Sequence, residues 1–131
     1  KFASVYWVPD VASSETVNPV GVRCGTAGSP VVTFRWTDDR VAQQQIATWA
    51  TVTNAGSTAL VRMQCNASAL AAPVRSTVVA PAVAPAGVQV RCDAGSGLAA
   101  CASPATPSRV VLDVTTLDGR PFTIDANRQV S

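Results

Sequence analysis

Glu, Lys and Met, three residues that readily sustain a surface helix, occur once each in this chain of 131 residues. Val and Thr stand in their place, and branching at Cβ favours the pleated strand over the helix. A bundle of long helices is thereby excluded, and strands must carry most of the core. At this length one domain is expected, burying roughly two-thirds of the surface that the unfolded chain exposes.

The chain holds four cysteines, Cys24, Cys65, Cys92 and Cys101, and no histidine. There is no CxxC pair and no His to complete a zinc site, so neither a metal nor a cofactor is expected. Disulfides are the better reading, and they require an oxidising compartment outside the cytoplasm. Of the three possible connectivities, the favoured one closes Cys92 on Cys101 across a Gly/Ser/Ala loop and leaves Cys24 with Cys65. Without His the Ser-His-Asp and Cys-His arrangements have no general base. An enzyme is therefore not expected, nor is a small-molecule substrate. No stretch reaches the roughly 20 apolar residues of a membrane span. Export without a visible leader implies that a segment upstream of Lys1 has been removed.

Along the chain, Lys1 to Val17 differs from the rest. Phe2, Val5 and Tyr6 follow the i, i+3, i+4 spacing of an apolar helical stripe. No N-cap residue precedes them, so this stub reads as the end of a helix. Pro9 is expected to kink it or open a fresh turn, and Asn18-Pro19 to stop it. Over 30–65 the period becomes two, with Val32, Phe34 and Trp36 on one face. Gln45–Thr53 and Thr58–Cys65 are joined by Asn54-Ala55-Gly56-Ser57, a hairpin signal, which predicts a three-stranded antiparallel meander. A second set of strands covers 76–126: Ser76–Ala80, Val88–Cys92, Arg109–Thr116 and Pro121–Ala126. The last two flank Asp118-Gly119, a two-residue signal of the type I′ kind. The Ala- and Pro-rich stretch from Ala67 to Ala86 crosses to a second sheet or to the far edge of the first. Residues 1–131 thus read as a single α+β domain, a helix packed on antiparallel β-sheet.

Few side chains invite chemistry. Asp38-Asp39 reads as a solvated turn, since calcium needs at least six oxygens and few others are near. Asn66-Ala67-Ser68 matches a glycosylation sequon, a short and frequent pattern. Tyr6, Trp7, Trp36 and Trp49 offer stacking surfaces for sugars or nucleobases. Trp36 is assigned to the core with Val32 and Phe34, whereas Trp49 is left as a candidate for a binding surface. Arg62 and Arg91, at outward positions of predicted strands, join it. Nucleic acid is a poor partner for a net charge of +2.

Taken in order, several segments resemble the globular head of type IV pilin-like proteins. The nearest group is the minor pilins and J-like pseudopilins of high-GC Gram-positive bacteria. Tyr6-Trp7-Val8-Pro9-Asp10-Val11, followed by Ala12-Ser13-Ser14, is similar to the end of that family's helix. Cys24-Gly25 and Val32-Thr33-Phe34-Arg35-Trp36-Thr37-Asp38 are similar to its first strand and turn. Ala47-Thr48-Trp49 stands where a Val-Thr-Tyr strand is usual, and Leu60-Val61-Arg62 resembles its Leu-x-Arg strand. Val78-Val79-Ala80, Val90-Arg91-Cys92, Val110-Val111-Leu112 and Phe122-Thr123-Ile124 with Arg128 complete the likeness. The resemblance implies that the helix is the C-terminal end of a long pilin helix. The missing part would anchor the subunit in the membrane before assembly and join it to other pilin subunits afterwards. It implies a role in priming a type IV pilus-like or type II secretion-like filament, or at its tip in adhesion or DNA uptake. The location is then extracellular, at the cell surface. The alternative is a free-standing secreted β-sandwich that binds carbohydrate or protein.

Overall fold

In the computed structural model, which describes residues 2–19, 21–40, 42–101 and 106–129, strands take 58% of the chain and helix 9%. The expected α+β class is therefore corrected to mostly β. One helix, α1 (Phe2–Ser13), precedes nine strands: β1 (Thr16–Asn18), β2 (Ser29–Asp38), β3 (Gln43–Asn54), β4 (Ser57–Asn66), β5 (Arg75–Ala80), β6 (Val83–Asp93), β7 (Leu98–Ala100), β8 (Arg109–Thr116) and β9 (Pro121–Asn127). They form two antiparallel sheets, one in the order β1-β2-β3-β4-β5 and the other β7-β6-β8-β9. The scarcity of helix formers explains the balance. The described helix runs for twelve residues, and strands follow it to the end of β9.

The meander expected over 30–65 is present as β2, β3 and β4. Its second turn is the anticipated hairpin, where Asn54 faces Ser57 and Ala55 and Gly56 both take positive φ. The Ala/Pro-rich stretch does both things considered for it. It first adds β5 to the edge of the first sheet, then crosses through Pro81-Ala82 into β6 of the second. The turn at Asp118-Gly119 differs from expectation. Thr116 and Arg120 close it around three residues, and of these only Gly119 has positive φ. This is the longer hairpin in which a Gly in the left-handed region forms a bulge.

The helix departs from the sequence reading in three ways. Its buried residues are Ala3, Trp7, Asp10 and Val11, with Ser14 just beyond, whereas Val5 is exposed; the side chain of Phe2 lies outside what the structure describes. The true stripe is built around the largest ring, Trp7, which the earlier spacing passed over. Pro9 does not open a new turn, because it sits on the solvent side, where a carbonyl left without its helical donor can be hydrated. The helix also ends at Ser13, short of the expected 17. The Ser14 hydroxyl and backbone N–H both donate to the Val11 carbonyl, at 2.8 and 3.2 Å. The chain then turns into β1, paired with β2 through Val17 and Phe34.

Two apolar layers result. The main core lies between the sheets and gathers Trp7, Val11, Phe34, Trp49, Leu60, Val110 and Leu112. Trp7 is its centre: its ring meets Phe34 and Trp49 edge-on at 5.2 and 5.0 Å, and its Nε1–H reaches the Val110 carbonyl at 3.4 Å. One side chain of α1 thus touches both sheets. A smaller cluster, Cys24, Ile46, Ala50, Met63 and Cys65, lies on the opposite face of the first sheet. This is why β3 is buried at every position from Gln45 to Ala50 instead of alternating.

Both disulfides have the favoured connectivity. Cys24–Cys65 spans 41 residues with a Cα–Cα distance of 5.6 Å, and Cys92–Cys101 spans 9 at 4.9 Å. The former clamps the loop before β2 onto the smaller cluster. There the Cys24 N–H donates to Thr48 Oγ1 at 2.8 Å and the Gly25 N–H to the Leu70 carbonyl at 2.7 Å.

Candidate assembly surface

The helix is held by charge as well as by apolar contact. Asp10 points from α1 onto the first sheet, where Arg62 of β4 grips it with two bonds. Nε donates to Oδ2 and a terminal nitrogen to Oδ1, each at 2.7 Å. Trp49 of β3, paired with Arg62 in the ladder, donates its Nε1–H to the same carboxylate at 2.8 Å. Tyr6 lays its ring 5.1 Å from the guanidinium carbon of Arg62. Asp10 and Arg62 are only 4% and 5% exposed, so the pair is desolvated and each charge depends on the other. At the far end of α1, Arg128 donates to the carbonyls of Ser14, Glu15 and Pro107. A cation there also suits the negative end of the helix dipole.

Two of the three residues expected on a binding surface are thereby relocated. Trp49 is fully buried and Arg62 nearly so. Both point inward because Trp49, Arg62, Phe34 and Leu60 share the face that meets the second sheet. Arg91 is the exception. It lies half-buried on the outer face of the second sheet, where its Nε donates to Asp113 Oδ2 at 2.7 Å. The structure does not bring it near the other two.

Around Arg91 the outer face of that sheet is a lattice of charge. Arg109 reaches Asp125 at 2.7 Å and Asp93 at 3.9 Å, and Thr123 donates to Asp113 at 2.9 Å. Val111, between Arg91 and Asp125 in the ladder, is covered by them and stays buried. The hydrogen bond from Arg91 holds the Asp113 carboxyl below its ordinary range, and that from Arg109 does the same for Asp125. Asp38 spends its carboxylate on the Arg40 backbone N–H at 3.1 Å, as a turn residue does. Among the described residues no group of three or more His, Cys, Asp or Glu is placed to hold a metal ion.

An exposed apolar surface follows α1. Opposite the buried stripe, Val5 and Val8 are 62% and 44% exposed, with Pro9 beside them. Where α1 begins, an apolar cleft of about 770 Å³ opens between Ala3, the end of β5 and the β8–β9 turn. Val79, Ala80, Leu117 and Phe122 line it, with Asp118 and Arg120 at its mouth. Leu117 is 64% exposed and Val78, on neighbouring β5, is 50% exposed. The sequence reading missed this cleft. Its one local signal is Leu117, a large apolar residue in a turn otherwise made of Thr, Asp and Gly.

The chain matches no family model, no curated protein and no solved structure. Two disulfides fit an oxidising, extracellular environment. No described helix is long and apolar enough to cross a membrane.

Proposed function

We propose that this domain is an exported assembly subunit, a minor pilin or pseudopilin of a type IV pilus-like or type II secretion-like filament, and that α1 is its packing element. One observation carries the reading. The inner face of α1 is pinned to both sheets by Trp7 and by the Asp10–Arg62 pair, while its outer face leaves Val5, Val8 and Pro9 in water beside an apolar cleft. Exposed valines along a rigidly held helix are costly for a lone domain and useful for one that packs against another subunit. The anchorage lets load on the helix pass into the stapled sheets.

The test is made on the producing cells. Surface filaments are sheared off, purified and probed for the chain. Incorporation into the filament fraction is expected, with Val5→Asp and Val8→Asp reducing it while leaving thermal unfolding unchanged. Wild-type chain found only as a free protein in the medium would overturn the proposal. A free-standing secreted β-sandwich that binds carbohydrate or protein is the second reading, favoured by the two packed sheets and their predominance over helix.

A further inference from the structure

We infer that Trp36, Gln64 and Asn66 form a shallow oligosaccharide-binding site at the open end of the first sheet. The inference does not rest on the assembly reading, because it uses a different part of the molecule. Strand register places the three on one face. Trp36 faces Gln45, and Gln45 faces Asn66. In the next row inward Phe34, Ala47, Gln64 and Arg75 lie side by side. Directly paired residues of antiparallel strands point to the same side. This is the inner face, but towards its end the apolar side chains give way to amides.

The amides are fixed. Gln45 is 5% exposed and acts as the hub: its Nε2 donates to Asn66 Oδ1 at 2.7 Å, and its Oε1 accepts from Gln64 Nε2 at 3.2 Å. These bonds set which way each amide points. They leave Asn66 Nδ2 as a donor and Gln64 Oε1 as an acceptor without a protein partner among the described residues. Trp36 differs from the other two tryptophans. Trp7 and Trp49 are wholly buried, whereas Trp36 stands half-buried at the margin of the core.

A pyranose needs this combination. Its hydroxyls ask for a donor and an acceptor held at fixed separation, and its C–H face packs on an indole ring. Because β2, β3 and β4 hold all three side chains, little ordering entropy remains to be lost on binding. Arg75, exposed beside Gln64, has no acidic partner among the described residues. It is within the same row and suits a sugar carboxylate, so uronate-containing chains are expected to bind better than neutral ones. A nucleic acid would need several exposed cations where, among the described residues, this end of the face offers one, Arg75, Arg62 being buried against Asp10.

The purified chain is screened on an array of neutral and acidic oligosaccharides. The hits are then titrated, following side-chain NMR signals and tryptophan emission. A Kd of about 0.1–1 mM is expected, with movement of the Trp36 indole and the Gln64 and Asn66 amides and none at Trp7 or Trp49. Gln64→Ala and Arg75→Ala should each weaken binding about tenfold, and Arg75→Ala, at an exposed side chain, should do so without lowering the melting temperature. Trp36→Phe should remove the emission change while keeping the core filled. No binding to any array glycan, binding indifferent to Gln64→Ala and Trp36→Phe, or binding of an oligonucleotide at these signals in place of sugars would each overturn the inference.

Discussion

Arg62 and Asp10, fifty-two residues apart, meet in a two-bond ion pair with each side chain only 5% exposed. The pair joins helix to sheet through charge, whereas Trp7 packs on both sheets and gives one hydrogen bond to the Val110 carbonyl. The Trp49 indole N–H completes the cage around the carboxylate.

Removing one partner from such a pair strands the other charge in the core. Arg62→Ala is expected to lower unfolding free energy by about 3–5 kcal/mol. The double change Arg62→Met with Asp10→Leu removes both charges and should recover most of that loss. Urea denaturation of the single and double variants checks this, and a double variant as unstable as Arg62→Ala would mean that packing, not charge, holds the helix.

The Cys24–Cys65 bridge closes the longer loop and covers the smaller cluster. Replacing both cysteines by Ala is expected to cost about 2–5 kcal/mol and to expose Met63 and Ile46 to solvent. Loss of the Cys92–Cys101 bridge, whose loop is shorter, should cost less on the loop-entropy account. Thermal melts of the two double-alanine proteins decide the order.

Stability should depend on acid through Asp113 and Asp125. Both carboxyls are held below their ordinary range by arginine hydrogen bonds, so the unfolded chain takes up protons first. The contribution is whole above the ordinary aspartate value of about 4 and falls away as pH drops through the lowered folded values. Because both groups are largely solvated, the effect is small. Denaturation midpoints in a pH series from neutral to strongly acid, compared with those of Asp113→Asn, test the sign.

Gly28 has φ of +69°, and a Cβ there would run into the Thr51 carbonyl oxygen and the Val52 side chain. Gly28→Ala is therefore expected to destabilise by about 1–3 kcal/mol, more than the same change at Gly56, where nothing lies near. Comparing the two melting temperatures separates the clash from the shared cost of positive φ.

How much could be read beforehand is seen best element by element. The strands at Val32–Trp36 and Thr58–Cys65 were legible because a half-buried strand writes a period of two into its side chains, and Gln45–Thr53, buried on both faces from Gln45 to Ala50, was legible through the Ala55-Gly56 hairpin that joins it to the next strand. Cysteine pairing followed from loop composition. The helix stripe was misread because Val5 is apolar yet exposed, while the charged Asp10 is buried. Local pattern assigns apolar residues inward and charged ones outward, and the second rule fails at Asp10 because its partner, Arg62, lies fifty-two residues away.

By itself, then, the sequence determined a stapled, strand-built fold: too few helix formers for a bundle, no His for the commonest catalytic and metal sites, four cysteines for two bridges. These are properties of composition and of short-range spacing, which the backbone obeys locally. Only the tertiary structure decided which faces meet. It drew Trp49 and Arg62 inside, gave Arg91 an acidic partner, left Val5, Val8 and the apolar cleft outside, and set Trp36, Gln64 and Asn66 half-buried at the margin. The physical reason is that burial belongs to a pair of surfaces, and a residue's neighbours along the chain do not reveal which surface will cover it.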